Sequence, residues 1–234
     1  MYSENTIIAL STPEGIGAIG VIRISGKKSF SLLSKVFKPL KKEKVKENVA
    51  QVGWIKEKER LIDKVVVTFF KNPNSYTGED LVEISCHGSK YVINEIINLF
   101  IKHGVIPAGP GEFTLRSFLN GKIDLSQAEA VADLISSESK ISHEVAINQI
   151  RGGFSKKINK LKNDLVDFAS LLTLELDFSG EDVEFADRKK FTTLLIKLES
   201  ELKKIQNSYK YGSVFKEGIP VAIMGKPNSG KSSL

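Results

Sequence analysis

The stretch "DLVEISCHGSKYVINEIINLFIKHG" (Asp80–Gly104) changes its hydrophobic period halfway along, and the fold follows from that change. In "DLVEISCHG", apolar residues alternate with polar ones, the period-two signature of a half-buried strand. Beyond it, Val92, Ile93, Ile96, Ile97, Phe100 and Ile101 recur every three or four residues, which marks one face of a helix. Gly104 closes that helix. A strand running straight into an amphipathic helix belongs to a domain that mixes the two.

The residues before this stretch extend the pattern. "TIIAL" (Thr6–Leu10) and "AIGVIRIS" (Ala18–Ser25) read as strands on either side of the Pro/Gly turn "STPEGIG". "SFSLLSKVF" (Ser29–Phe37) reads as a short helix and "PLKKEKVKE" (Pro39–Glu47) as a charged, solvated connector. "NVAQVGWIK" and "DKVVVTFF" read as two strands joined by the charged turn "EKERLI".

From about Leu125 the pattern becomes long helices. Phe154, Ile158, Leu161, Leu165, Phe168 and Leu172 form one stripe, and Phe191, Leu194 or Leu195, Leu198, Leu202 and Ile205 form another. The acidic break "DFSGEDVEFADR" lies between them, so the expected arrangement is an antiparallel bundle. "KEGIPVAIMG" (Lys216–Gly225) then reads as the start of a new strand. The expectation is an α+β chain in three units: a mixed α/β domain over 1–121, a helical domain over 122–217, and the first strand and loop of an α/β domain over 218–234.

Composition narrows the functional classes. The 234 residues are 41% hydrophobic and 26% charged, ordinary globular values that exclude wholesale disorder. The longest apolar runs are too short to span a bilayer, and "MYSENTIIAL" carries no signal-peptide pattern. Cys86 is the single cysteine, so no internal disulfide forms, which fits a reducing cytoplasm. The net charge of +6 suits a polyanionic partner such as RNA, and equally suits lysine used as a solubilising residue.

Gly225–Ser232, "GKPNSGKS", fits the pattern G-x-x-x-x-G-K-[ST]. Gly225 and Gly230 let the backbone curl so that N–H groups point at phosphate oxygens. Lys231 supplies a cation to the β- and γ-phosphates, and the Ser232 hydroxyl suits a magnesium ion bridging them. Asn228, Ser229, Gly230, Lys231, Ser232 and Ser233 are the expected nucleotide-binding residues. The sequence ends there, with no second magnesium carboxylate, switch segment or base-reading motif. This chain alone is therefore expected neither to bind GTP tightly nor to hydrolyse it.

Three further segments, "TPEGIGAIGVIRISG" (Thr12–Gly26), "NPNSYTGEDLVEISCHG" (Asn72–Gly88) and "PGEFTLRSFLNGKIDLSQAEAVADLI" (Pro110–Ile135), resemble the tRNA-modifying GTPase family MnmE, also called TrmE. "GKPNSGKSSL" resembles the start of that family's inserted G domain. The resemblance covers Thr6 to Leu234. It implies an N-terminal domain, of a kind resembling aminomethyltransferase domains, that binds 5-formyl-tetrahydrofolate or a related folate and forms a homodimer. It also implies a helical domain with the G domain inserted in it. Family proteins are about twice as long and end in C-x-G-K, so the chain resembles their first half. Cys86 lies in a strand and is not that terminal cysteine.

Three residues carry the folate expectation. A pterin offers an amidine-like N–H edge that a carboxylate accepts in two parallel bonds, and Glu83 is placed for this. Arg23, inside an apolar run, needs a partner or a ligand. Lys122 stands at the bend before a helix. From the residues alone, Arg23 could equally pair with a structural carboxylate, and Glu83 could face solvent. By motif position, the resemblance assigns Arg23, Glu83 and Lys122 to the folate. It also gives Asn228 a potassium ion and Ser232 magnesium, with GTP or GDP as the nucleotide.

The resemblance further implies a cytoplasmic GTPase that works with the flavoprotein MnmG. Together they attach an aminomethyl-type group at carbon 5 of the wobble uridine of certain tRNAs, with no membrane involved. No catalytic residue is expected within this chain. The alternatives are a stand-alone folate-dependent one-carbon-transfer domain, or a non-enzymatic RNA-binding dimerisation scaffold. Among the remaining residues, Cys86 reads as a packed or site-lining thiol, and His87 lacks companions at zinc spacing. Gly78 reads as permitting a tight turn, Glu79 and Asp80 as caps or dimer contacts, and Phe113 and Phe118 as core.

Overall fold

In the computed structural model, residues 5–40, 49–177, 187–217, 222–226 and 230 are described. They fall into two units, Met1–Ala128 and Glu129–Leu234. The first holds strands β1 (Ile7–Leu10), β2 (Ile19–Ser25), β3 (Phe37–Pro39), β4 (Ala50–Glu57), β5 (Arg60–Phe70), β6 (Leu81–His87) and β7 (Ile106–Pro107). Helices α1 (Ser29–Val36), α2 (Lys90–Lys102) and α3 (Glu112–Leu119) are set between and after them. The strands make one sheet in the order β3-β4-β5-β6-β2-β1-β7. Every pairing is antiparallel except β1 with β7.

Alternation along the central strands sends one set of side chains inward. Ile22 and Ile24 of β2, Val65 and Val67 of β5, and Val82, Ile84 and Cys86 of β6 are buried. They share one core with Leu32, Leu33 and Val36 of α1 and Ile93, Ile96, Leu99 and Phe100 of α2. Burying a side chain of this size contributes roughly 1.5–3 kcal/mol, so this face is fixed by packing. A one-residue slip of register would turn the whole set outward. The opposite parity is therefore free for polar work, and Arg23 and Glu83 lie on it.

The helix expected up to Gly104 is α2, and Gly104 closes it at φ +87, a left-handed conformation that suits glycine. The turn expected over "EKERLI" is much shorter. β4 and β5 are joined by Lys58 and Glu59 alone, and Arg60, Leu61 and Ile62 already belong to β5. Lys58 takes φ +54, as tight hairpins require to match strand twist. The charges marked exposure, not the turn. The connector after Pro39 falls largely on residues 41–48, outside the described residues.

Helix α4 (Leu125–Ile135) begins in the first unit and continues in the second. In the second unit α5 (Lys140–Ile150), α6 (Gly153–Asp177) and α7 (Arg188–Glu217) pack on one another. Ser139 caps α5 in a reciprocal box with Ser142. α6 and α7 run antiparallel, as their stripes suggested. Phe168 stacks on Phe191 at 4.4 Å, Arg188 pairs with Glu175 at 2.6 Å, and Lys197 reaches Asp164 at 3.7 Å. Leu161, Phe168 and Leu198 are buried, whereas Leu165, Leu195 and Leu202 stay exposed. The α7 stripe runs through Leu194 rather than Leu195. The acidic break lies largely over 178–186, outside the described residues.

Of the strand expected within "KEGIPVAIMG", residues 218–221 lie outside the described residues. Lys216 and Glu217 end α7, residues 222–226 have no regular structure, and Ile223 and Met224 are exposed. A strand needs a neighbour for its N–H and C=O groups. Among the described residues none pairs with this segment.

Candidate functional site

The site grows from the register of β2 and β6, which places Arg23 directly opposite Glu83. Across an antiparallel pair, facing side chains meet. The Arg23 guanidinium donates from Nε at 3.0 Å and from Nη2 at 2.6 Å, and both bonds end on Glu83 Oε1. The Arg23 guanidinium carbon lies 5.1 Å from the Tyr76 ring centroid and 5.6 Å from that of Phe113. Both rings are within cation–π range. Tyr76 belongs to the 72–80 loop and Phe113 to α3, and the Tyr76 hydroxyl is 2.9 Å from Thr114 Oγ1. Arg23 is thus a flat cation held edge-on by a carboxylate and flanked by aromatic rings.

A buried network fastens the loop and α3 around this pair. Arg116 of α3 is 6% exposed and donates five hydrogen bonds to four acceptor atoms. Its Nη1 donates to both Glu79 carboxylate oxygens, at 3.1 and 3.2 Å, and to Asn5 O at 2.9 Å. Its Nε and Nη2 donate to Glu112 Oε1 at 3.2 and 2.8 Å. Ser25 donates to Glu79 Oε2 at 2.8 Å and meets the Thr77 hydroxyl at 2.7 Å. Burial opposes ionisation of Glu112, but the Gly109 N–H and Arg116 outweigh it and hold the carboxyl below its usual range. Glu79 is therefore an ion-pair partner of Arg116 within the domain rather than a helix cap. Asp80 ties the loop to its neighbours, accepting from Asn72 N on its side chain and from Gly26 N and Ser29 Oγ on its carbonyl.

Lys122 reaches the same loop from the other side. Its ammonium donates to Pro73 O at 2.9 Å, and Asn120 Nδ2 donates to Thr77 O at 2.7 Å. Gly78 sits beneath them at φ +74, and a Cβ there would lie 3.1 Å from Lys122 Cγ and from Asn120 Cβ. Glycine allows both the turn and the close approach. Lys122 keeps two further N–H donors beyond its bond to Pro73.

The pair fits a flat, anion-tailed ligand with one adjustment. Bidentate acceptance needs both carboxylate oxygens. Oε1 already takes two bonds from Arg23, while Oε2 has no donor among the described residues. Glu83 can accept one N–H without rearrangement, and a second only if Arg23 gives up a bond. The carboxylate is thus half-buried and paired through one of its two oxygens.

Sequence reasoning singled out Arg23, Glu83 and Lys122 but missed Tyr76 and Arg116, and it placed Phe113 in the core. Phe113 is half-buried against Arg23, and Phe118 is exposed. A second pair was also missed. Asp63 is buried, and its carboxylate accepts from His87 N at 2.8 Å and meets His87 Nδ1 at 2.6 Å. Cys86 is a packed thiol in the core, bonding Gly20 O at 3.3 Å, and burial pushes it up to about 11, with Asp63 adding to the effect.

Of the expected nucleotide residues, Asn228, Ser229, Lys231, Ser232 and Ser233 lie outside the described residues. Gly230 is described, with the positive φ of +77 that a curled loop uses. Among the described residues, no helix is long and apolar enough to cross a membrane.

A sheet domain with a stacked arginine–carboxylate pair on its open face, followed by a helical domain, defines the class of protein. Residues 6–122 match the family model described as GTP-binding protein TrmE N-terminus, and residues 125–220 match the MnmE helical domain. The chain belongs to the MnmE (TrmE) family. It is 54% identical to the tRNA modification GTPase MnmE of Flavobacterium johnsoniae, across 100% of this chain and 51% of that protein. It is 52% identical to the protein so named from Cytophaga hutchinsonii, over 98% of this chain and 50% of the relative. For that of Bacteroides fragilis the identity is 48%, over 99% and 50%. The chain thus spans about half the length of the curated relatives it matches.

Proposed function

We propose that the chain is the folate-binding and helical part of a cytoplasmic tRNA-modifying GTPase. In this reading the 1–121 domain binds a reduced folate such as 5-formyl-tetrahydrofolate and makes a homodimer. Arg23 and Glu83 address the pterin, and Lys122 addresses its carbonyl or anionic part. The G domain begun at residue 218 takes GTP with magnesium on Ser232 and potassium on Asn228. With an MnmG flavoprotein, the whole protein attaches a carboxymethylaminomethyl or aminomethyl group at carbon 5 of the tRNA wobble uridine. GTP hydrolysis drives rearrangement of the G domains, and the folate carries the one-carbon unit.

The observation that carries the folate reading is the Arg23–Glu83 pair on the open sheet face, with Tyr76 and Phe113 beside it. Two rings around a planar cation, next to a carboxylate oxygen without a donor, suit a flat heterocycle with an N–H edge. Calorimetric titration of the chain with 5-formyl-tetrahydrofolate tests it. Saturable binding at one site per chain supports the reading, and no heat at millimolar folate overturns it. For the GTPase part, the assay is hydrolysis by the whole protein in potassium against sodium. A rate indifferent to the swap removes the role given to Asn228.

A further inference from the structure

The first half of α6 carries its charge in the direction that a helix disfavours. From Arg151 to Asn163 the sequence is "RGGFSKKINKLKN", with five cations and no acid. The acids Asp164, Asp167, Glu175 and Asp177 all follow in the second half. The first turn of α6 has no acidic residue and the last turn no basic one. The macrodipole stabilises anions near a helix N-terminus and cations near its C-terminus. This arrangement costs helix stability and adds positive potential where the helix is already positive.

The cations are not consumed by internal pairing. Lys156, Lys157, Lys160 and Lys162 are exposed, and none makes an ion pair among the described residues. Lys157 lies near enough to Glu201 to help lower its carboxyl. Lys197, Lys203 and Lys204 of α7 do have partners in Asp164, Glu199 and Glu201. Position on the helix sharpens the contrast. Lys156, Asn159, Lys160 and Asn163 follow the i, i+3, i+4, i+7 spacing of a single face, about 10 Å long, and all four are exposed. Leu161 and Phe168, turned roughly the other way, are buried in the packing with α5 and α7.

We propose that this lysine–asparagine face of α6 is the surface that receives the phosphate backbone of RNA. Lysines spaced one helical turn apart neutralise successive phosphates, and asparagine amides between them donate to phosphate and sugar oxygens. The cations lie within a Debye length of one another, so their fields add at physiological salt. An anionic membrane is the weaker partner for this helix. Interfacial helices bury an apolar face in the lipid, and the face of Lys156, Asn159, Lys160 and Asn163 holds no apolar residue, while Leu161 and Phe168 are buried on the other side of α6. The inference deepens the function proposed above and rests on its tRNA partner.

The test is fluorescence anisotropy with a labelled, unmodified tRNA transcript and the chain as it stands. In K156Q/K160Q, affinity at physiological salt falls about tenfold, and the slope of log K against log salt shrinks by about 2. K203Q/K204Q removes the same charge from ion-paired lysines and changes affinity less than about twofold. K156Q/K160Q keeps its helical circular dichroism and melts no lower than wild type, because the replaced charges oppose the helix dipole. Equal losses in the two variants, or tRNA binding unchanged in K156Q/K160Q, overturns the inference and leaves the tRNA reading standing. No tRNA binding by the wild-type chain removes both. Binding to phosphatidylserine vesicles that K156Q/K160Q abolishes, with tRNA affinity intact, assigns the face to lipid and overturns the proposal.

Discussion

Arg23 and Glu83 face one another across β2 and β6, and both guanidinium bonds converge on a single carboxylate oxygen, Oε1. This pairing holds the arginine beside Tyr76 and Phe113 and leaves Oε2 without a donor among the described residues. Glu83→Ala therefore abolishes 5-formyl-tetrahydrofolate binding in a titration, while thermal stability falls by only about 1 kcal/mol, the scale of a cross-strand pair. Arg23→Lys keeps the charge and loses the planar fork. Its affinity falls less than that of Glu83→Ala. Unchanged affinity in Glu83→Ala would end the role given to the pair.

Tyr76 and Phe113 act through shape. Tyr76→Leu and Phe113→Leu keep apolar bulk and remove the ring faces that hold the arginine plane. Each loses roughly 1 kcal/mol of ring–cation contact. Each therefore weakens folate binding about fivefold, with Arg23→Ala as the background in which the two changes become silent. Additive losses on that background would show that the rings act independently of Arg23.

Arg116 is a stability residue of the same site. Arg116→Met leaves Glu79 and Glu112 without their shared cation. Breaking such a pair on one side costs roughly 3 kcal/mol or more, a drop in Tm on the order of 10 °C. The acid response follows from Glu112, whose carboxyl is held below the ordinary carboxylate value by Gly109 N–H and Arg116 against the opposing effect of burial. In the folded state it binds its proton later than in the unfolded state. Its contribution is present above pH 4.5 and is lost as pH falls through the depressed value. Arg116→Met flattens that acid limb in urea titrations between pH 5 and 3.

Much of this was legible from one sequence, and the gaps have physical causes. Periodicity gave β2, β6 and α2 because packing enforces it, with Ile22, Ile24, Val82 and Ile84 all inward. The antiparallel α6–α7 pair followed from two stripes. Register was not legible. Nothing along the chain states that residue 23 faces residue 83, so the pairing of a suspected arginine with a suspected carboxylate emerged only from the fold. Arg116 and Glu79 are 37 positions apart and look like ordinary surface charges until their burial is seen. The hairpin at Lys58 was misjudged because charge reports exposure and an exposed strand edge is charged too.

Cys86 gives a test at high pH. Burial first, then the Asp63 carboxylate, raises its thiol from 9.0 to about 11. The unfolded thiol loses its proton near pH 9 while the folded one keeps it. Stability therefore falls as pH rises from about 9 toward 11. Cys86→Ala removes that part of the alkaline slope, seen as the difference between the two urea-midpoint profiles. Native Cys86 also resists alkylation at pH 8, where little thiolate exists, and reacts once urea unfolds the chain. Fast alkylation of the native protein would contradict the packed state of the thiol.

The stacked rings of Phe168 and Phe191 test how the helical unit is held. They lie 4.4 Å apart and 14° from parallel, and Phe168 is buried while Phe191 is half-buried. Phe168→Ala costs roughly 3 kcal/mol through the cavity it leaves, and Phe191→Ala costs less because its site is more open. If ring stacking adds to burial, the two losses are not independent, and a double-mutant cycle gives a coupling of about 1 kcal/mol. The coupling is read from urea midpoints of the two single variants and the double variant, followed by helical circular dichroism. A control pair, Phe168→Ala with Leu202→Ala, involves an exposed leucine on α7, the helix of Phe191, and returns a coupling near zero. A coupling near zero for the phenylalanines as well would assign the α6–α7 contact to area burial alone.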